Sequence, residues 1–214
     1  MTDRISGSAF KQMITFGAAC VTQQKQAIND LNVFPVPDGD TGTNMSLTIQ
    51  TAVNELKKSE PATVGEAAKI TAGALLRGAR GNSGVILSLL FRGLSKSVKG
   101  LTDMDGVQLA AAMAEGVTTA YGAVMKPAEG TVLTVSRLAA ARAVEAAQEN
   151  PSAEYVLEQA IAAGYETLAQ TIDMNPVLKK AGVVDAGGNC YLMNLDGMLR
   201  ALRGEYLTQL YEDV

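Results

Sequence analysis

Two aspartates separated by one glycine, Asp38 and Asp40, lie between a proline-rich segment and a pattern typical of a helix start. Pro35 and Pro37 favour an extended backbone and lack amide donors, so the segment 32–37 is not an interior strand. Residues two apart in an extended chain face the same side, and both carboxylates could point at one small volume. Acidic oxygens beside the open amides of a helix N-terminus can hold a hard cation and a phosphate together.

The spacing around these aspartates does not fit an EF-hand. Thr43 stands where the loop glycine would be needed, and Ile49 stands where the bidentate glutamate would be needed. A structural alternative remains, in which Asp38 or Asp40 closes an Asx-type turn and caps the following helix. Both interpretations are open from the residues alone.

Glycine is combined with Asp, Asn, Ser or Thr in four segments between apolar stretches, at residues 38–44, 78–84, 126–131 and 185–188. Two segments, Gly42-Thr43-Asn44 and Gly81-Asn82-Ser83-Gly84, are predicted to open helices, whose first amides have no internal partner. They are candidate phosphate cradles. Neither matches a P-loop or a dinucleotide-binding loop, and ordinary helix capping is the alternative.

Two of these segments contain basic residues. Arg80 and Lys126 could neutralise phosphate charge, or they could be solvated cations at helix ends without a role in binding. Glu129 could be a ligand or a capping residue, and the sequence does not decide between the two.

Composition excludes several classes of site. The 214 residues contain no histidine, which removes Ser-His and Cys-His catalytic pairs and His-ligated zinc. A net charge of -4 without a basic run gives no footprint for nucleic acid. Cys20 and Cys190 are too few for a disulfide framework and are predicted to be packing residues. Without a secretory or transmembrane segment, the expected location is the cytoplasm.

Hydrophobic spacing predicts helices throughout the chain, with no useful period-two pattern. The expected helices cover residues 6–30, 43–57, 63–75, 85 to about 100, 107–124, 131–148, 153–171 and 191–202, with a short helical turn at 176–181. The short connections favour antiparallel neighbours. We therefore expect an all-α fold of about eight helices in a single domain, residues 1–214.

Two long motifs identify a family resemblance: Leu31-Asn32-Val33-Phe34-Pro35-Val36-Pro37-Asp38-Gly39-Asp40-Thr41-Gly42-Thr43-Asn44-Met45 and Gly78-Ala79-Arg80-Gly81-Asn82-Ser83-Gly84-Val85-Ile86-Leu87-Ser88. The chain resembles the N-terminal, ATP-binding domain of the bacterial fatty acid kinase A subunit, which is related to the L subunit of dihydroxyacetone kinase. The segments 125–131 and 183–188 also match, so the resemblance covers essentially the whole chain.

The resemblance implies a barrel of eight antiparallel helices with ATP and two Mg²⁺ ions at one open end. Asp38 and Asp40 match metal-binding aspartates that act through the metal, and Asn32 is the nearest candidate for a third ligand. The nucleotide-binding positions implied by the match are Thr41, Thr43, Asn44, Gly81, Asn82, Ser83, Gly84, Met125, Thr131, Asp185 and Gly187. Dihydroxyacetone kinases have a histidine where this chain has Thr41, which favours the fatty acid kinase branch.

For function, the resemblance implies transfer of the γ-phosphoryl group of ATP to a fatty acid carboxylate. A separate lipid-carrier protein would deliver the acid, and the product would be an acyl phosphate. Full-length A subunits continue into domains that dimerise and engage the carrier, so this chain is expected to bind ATP and to be inactive alone. The alternatives are a dihydroxyacetone-type kinase subunit, a nucleotide-sensing domain without transfer, and a purely structural helical domain.

Overall fold

The computed structural model describes residues 1–212 of the chain, and within them it contains ten α-helices. The helices are α1 (Gly7–Leu31), α2 (Thr41–Lys57), α3 (Val64–Gly78), α4 (Gly81–Ser97), α5 (Gly106–Ala123), α6 (Val132–Glu149), α7 (Ala153–Met174), α8 (Pro176–Ala181), α9 (Ala186–Leu202) and α10 (Leu207–Glu212). The β-type pairing in this range is a single bridge between Ile5 and Met104. The predicted all-α class is confirmed.

The eight long helices form a closed ring. Each packs against the long helix before it and the one after it, and α9 packs against both α7 and α1, which completes the circle. Buried apolar side chains from all eight long helices join in one continuous core. This arrangement confirms the expected barrel of eight antiparallel helices.

Small residues allow close approach where the ring closes. A Cβ atom placed on Gly197 of α9 would lie 2.7 Å from the Cα atom of Gly17 on α1. No real side chain tolerates such a contact, so both glycines let the two helix backbones come together. Added volume at this seam would force the helices apart.

The two ends of the barrel differ in which helices start there. We call the end where α2, α4, α6 and α9 begin the open end, and the end where α1, α3, α5 and α7 begin the closed end. At the closed end the N-terminal segment crosses the barrel: Ile5 is fully buried and exchanges two backbone hydrogen bonds with Met104, of 2.8 and 3.0 Å.

Two helix starts lie earlier than the apolar spacing indicates. Helix α4 begins at Gly81, as its glycine-rich segment predicts, although its apolar positions begin at Val85, and α9 begins at Ala186 rather than near Tyr191. The short helix α10 was not predicted. Apolar spacing reports only the part of a helix that packs on the core, and the first turns of α4 and α9 carry small residues that border a cavity instead.

Candidate functional site

A cavity of about 430 Å³ lies at the open end, among the starts of four helices. Its volume falls in the range of about 300–1,000 Å³ that is usual for small-molecule sites. Backbone N–H groups at helix starts carry partial positive charge, so four converging starts favour an anionic ligand. The lining residues are Asn32, Phe34, Pro35, Val36, Asp38, Asp40, Thr41, Asn44, Gly81, Asn82, Ser83, Ile86, Val124, Lys126, Ala128, Thr131, Val132, Leu133, Asp185 and Gly187.

The acidic turn places both aspartates on this cavity. Gly39 has a φ of +67°, a left-handed conformation that glycine adopts without strain, and it turns the chain between Asp38 and Asp40. Asp40 occupies the N-cap position of α2, yet its side chain makes no capping hydrogen bond. Within residues 1–212, neither carboxylate accepts a hydrogen bond from a side chain or a backbone amide, and neither forms an ion pair. The capping alternative for these aspartates therefore does not hold.

The side chain of Asn32 braces this turn. Its Oδ1 atom accepts hydrogen bonds from the amides of Asp40, at 3.0 Å, and Thr41, at 3.1 Å, while its Nδ2 atom donates to the carbonyl of Val36 at 3.2 Å. The residue is only 6% exposed. An amide oxygen has two lone pairs, and both are engaged, so Asn32 is not the free metal ligand expected from the sequence.

Helices α2 and α4 start side by side. A Cβ atom on Gly81 would lie 2.5 Å from Nδ2 of Asn44, and the amide of Arg80 donates to Oγ1 of Thr48 at 3.0 Å. Gly81 also has a φ of +68°, so it serves both the turn and the close approach. Asn44 is thereby held on the cavity wall beside the first turn of α4.

The first turn of α4 presents backbone donors. Its N-cap residue, Arg80, makes no side-chain cap, and the first backbone hydrogen bond of this turn runs from the amide of Gly84 to the Arg80 carbonyl at 3.2 Å. Within the described chain, the amides of Gly81, Asn82 and Ser83 donate to no protein acceptor. An uncapped helix start beside a cavity is a site for phosphate oxygens.

The opposite wall is closed by Asp185. Its carboxylate accepts the amide of Gly188 at 2.7 Å and also bonds the backbone of Val132, while its own amide donates to Oγ1 of Thr171 at 3.1 Å. Burial raises the pKa of Asp185 from 3.8 to about 6, against the opposing effect of the two backbone bonds. Asp185 therefore ties the starts of α6 and α9 together rather than offering a free ligand.

The segment between α5 and α6 is anchored by Glu129. Its carboxylate is hydrogen bonded by the Thr134 hydroxyl and pairs with Arg137 at 3.1 Å and Tyr121 at 3.3 Å. The hydrogen bond from Thr134 is the main reason that the pKa of Glu129 lies below its usual value. Glu129 thus holds the segment in place, and Lys126 of the same segment lines the cavity.

Three of the expected nucleotide-binding residues do not line the cavity. Thr43 is bonded through its backbone and hydroxyl to Asn29, at 3.1 and 3.0 Å. Gly84 is buried against Thr48, and Met125 is 97% exposed. All the other expected residues are on the cavity wall.

One part of the wall was missed from the sequence. It is apolar and consists of Phe34, Pro35, Val36, Ile86, Val124, Val132 and Leu133. Such a surface suits a flat, weakly polar group. Its residues come from separate segments and read as ordinary core residues; only the position of Phe34 beside the acidic turn could have indicated the wall.

The donor set suits magnesium better than zinc. Residues 1–212 contain no group of three His, Cys, Asp or Glu side chains placed to hold a metal ion. Asp38 and Asp40 offer hard oxygen atoms with room beside them, and Mg²⁺ is commonly held by one or two carboxylates together with substrate phosphates. The site fits a cation that arrives with a phosphate ligand.

Comparison with known proteins agrees with this picture. The model of the DAK2 domain matches residues 35–200. An uncharacterized protein of Staphylococcus haemolyticus is 45% identical over 205 residues, which cover 96% of this chain and 37% of that protein. An uncharacterized protein of Staphylococcus aureus is 44% identical over the same shares. The chain thus spans 37% of the length of these curated relatives.

Two solved structures share the fold. The dihydroxyacetone kinase of C. freundii in complex with AMP-PNP and Mg²⁺ superposes with a TM-score of 0.68 at 16% identity, over 94% of this chain and 35% of that one. Its native form superposes with a TM-score of 0.65 at 17% identity, over 90% and 34% of the two chains. Across residues 1–212, no helix has the length and apolar character needed to cross a membrane.

Proposed function

Because the chain belongs to the DAK2 domain family, we propose that it binds ATP together with Mg²⁺ and holds the phosphoryl donor of a kinase. One observation carries the proposal: two carboxylates without protein partners face the uncapped start of α4 across a cavity of about 430 Å³. The solved relative of the same fold in complex with AMP-PNP and Mg²⁺ supports it.

In this proposal each part of the wall has a task. Asp38 and Asp40 hold Mg²⁺, as two ions on the pattern of the resembling kinases. The amides of Gly81, Asn82 and Ser83 bind phosphate oxygens, and Lys126 adds positive charge. Mg²⁺ held by Asp38 and Asp40 would neutralise the negative charge that develops on the transferred phosphoryl group. The apolar wall contacts the adenine base of ATP.

We further propose that the acceptor is a fatty acid carboxylate brought by a carrier protein, with an acyl phosphate as product. The titratable residues that line the cavity in the described chain are Asp38, Asp40, Lys126 and Asp185. In this proposal Asp38 and Asp40 hold the metal ion and Lys126 carries positive charge. The Asp185 carboxylate is already hydrogen bonded at two helix starts. A carboxylate is ionised at neutral pH and needs no general base, whereas the hydroxyl of dihydroxyacetone needs one.

Calorimetry with ATP tests the binding step. We expect binding that requires Mg²⁺, and we expect Asp38→Ala and Asp40→Ala each to weaken it by at least about 100-fold, since loss of an outer-shell partner alone typically costs about 10–100-fold. Asp103→Ala is the matched control, because Asp103 is an exposed partner of Arg4 at the closed end. Equal binding by all three variants, or binding independent of Mg²⁺, would refute the proposal.

The acceptor is tested with the longer Staphylococcus aureus relative, which contains a region 44% identical to this chain. With ATP and Mg²⁺ we expect phosphoryl transfer to a carrier-bound fatty acid and none to dihydroxyacetone. The present chain, which spans 37% of that relative, is expected to bind ATP without acyl transfer. Transfer to dihydroxyacetone would favour the sugar-kinase alternative, and no transfer despite binding would favour a nucleotide sensor.

A further inference from the structure

The first turn of α2 is capped by side chains from α1 and its following residue, not by its own N-cap residue. Oδ1 of Asn29 accepts the amide of Thr43 at 3.1 Å, and Nδ2 of Asn29 donates to the Thr43 hydroxyl at 3.0 Å. Oδ1 of Asn32 accepts the amides of Asp40 and Thr41. The helix start is therefore satisfied from a neighbouring element.

Asn29 takes the amide that an N-cap aspartate would normally use. Asp40 is at the N-cap, so Thr43 is the third residue of the helix, and an N-cap side chain accepts from the second or third amide. Aspartate is among the best N-cap residues, yet Asp40 makes no such bond. The position its carboxylate would fill is occupied by the Asn29 amide.

Close contact between the helices makes this possible. A Cβ atom on Gly42 would lie 2.2 Å from the Lys25 carbonyl oxygen and 2.9 Å from Oδ1 of Asn29. Any other residue at this position would push α2 away from α1 and out of reach of the asparagine. Asn29 itself does not line the cavity, so it cannot touch a ligand there.

We propose that Asn29 is a positioning residue that caps α2 in place of Asp40, with Asn32 bracing the turn, so that the Asp40 carboxylate remains free for a cation. The part of this inference that concerns the cation rests on the proposed function. The part that concerns the capping of α2 rests only on the hydrogen bonds described above. Without Asn29, the Asp40 carboxylate turns back to the Thr43 amide and binds Mg²⁺ more weakly.

Melting temperatures without metal or nucleotide test the exchange of caps. Asp40→Ala is expected to leave the melting temperature unchanged, because Asp40 does not cap α2 in the wild-type protein. Asn29→Ala is expected to lower it only slightly, because Asp40 takes over. The double variant lacks both caps and is expected to melt about 2–4 °C below the sum of the single effects.

The Mg²⁺-dependent affinity for ATP tests the consequence. Asn29→Ala is expected to lower it about tenfold, as loss of an outer-shell partner does. Asn29→Asp retains the acceptor for the Thr43 amide and is expected to bind ATP with the affinity of the wild-type protein. Thr63→Ala removes an ordinary N-cap at the closed end, where Thr63 accepts the Glu66 amide at 3.1 Å, and should lower stability without changing the affinity.

Additive melting temperatures, or a lower metal-free melting temperature for Asp40→Ala, would overturn the inference. Unchanged ATP affinity in Asn29→Ala would overturn its functional half. If Asn29→Ala does not fold, Asp40→Ala still decides, because it alters an exposed side chain. If the wild-type protein shows no Mg²⁺-dependent binding, the proposed function fails, while the melting temperatures still decide whether Asn29 caps α2 in place of Asp40.

Discussion

The closed and open ends of the barrel differ in how their helix starts are capped. At the closed end, side chains of Ser6, Thr63 and Asp105 cap α1, α3 and α5, the last with a complete capping box. Helix α7 begins with amides that donate to the carbonyls of Asp3, at 2.9 Å, and Thr2, at 3.0 Å. Each of these four helix starts has a cap from the protein.

At the open end, three of the four helix starts are capped by side chains and one is not. Thr131 and Asp185 cap α6 and α9, and asparagines from the α1 side cap α2. Helix α4 has no side-chain cap. The same ring of antiparallel helices thus satisfies its backbone at one end and leaves donors beside free carboxylates at the other. The difference between the ends, rather than any one loop, marks the candidate binding site.

Among the variants that distinguish the two ends, Asp185→Asn is expected to have the largest effect on the free energy of unfolding. Burial raises the pKa of Asp185 in the folded protein from 3.8 to about 6, so the folded state holds this proton more tightly than the unfolded state. The ionised group therefore costs stability above about pH 6, and this cost disappears as the pH falls towards 4. A shift of about two units corresponds to about 3 kcal/mol.

Urea unfolding of both proteins between pH 4 and 8 measures this effect. We expect the wild-type protein to lose up to about 3 kcal/mol relative to Asp185→Asn as the pH rises from 4 to 7. Asp105→Asn, at the N-cap of α5 in the closed end, is the comparison variant. A difference that is constant with pH, or one of opposite sign, would show that Asp185 is not held as the structure describes.

A smaller effect is expected from Gly81→Ala at the open end, compared with Gly100→Ala. Both glycines have positive φ, +68° and +81°, but a Cβ atom on Gly100 would meet nothing within 4 Å. Gly100→Ala should cost about 1 kcal/mol from backbone strain alone. Gly81→Ala should cost about 2 kcal/mol, because the new methyl group also displaces Asn44.

Calorimetry of the same two variants sharpens the comparison. Gly81→Ala is expected to weaken Mg²⁺-dependent ATP binding about tenfold, since charge-assisted hydrogen bonds of about 1.5–3 kcal/mol depend on this turn. Gly100→Ala is expected to leave ATP binding unchanged. Equal ATP affinities in the two variants would place the phosphates away from the α4 start.

The smallest effects are expected from single polar side chains at helix starts. Asp105→Ala at the closed end removes the N-cap of α5 and should lower the free energy of unfolding by about 1 kcal/mol without affecting ATP binding. Ser83→Ala in the first turn of α4 removes no cap and should change stability by less than about 0.5 kcal/mol. It keeps the backbone amide, so ATP binding is expected to weaken only through loss of the hydroxyl of this cavity residue. The reverse pattern would contradict the assignment of roles to the two ends.

Much of the open end was predictable from local sequence. Asp38, Asp40 and the segment from Gly81 to Ser83 stand out because their residue types serve turns and anions rather than packing. Asn29 did not stand out, because its capping partner Thr43 lies 14 residues away and is reached only when α1 and α2 pack together. Met125 matched the family pattern but lies in solvent in this structure.

The amino-acid sequence by itself determined the helices, the acidic turn and the glycine-rich helix starts, because these depend on periodicity and on backbone preferences within a few residues. Tertiary structure decided which helix start keeps its amides open, which aspartate is buried as a cap and which are left free. Those outcomes depend on hydrogen bonds between helices that are distant in the chain, such as the bonds between Asn29 and Thr43 or Asp185 and Thr171, and they exist only once the barrel has closed.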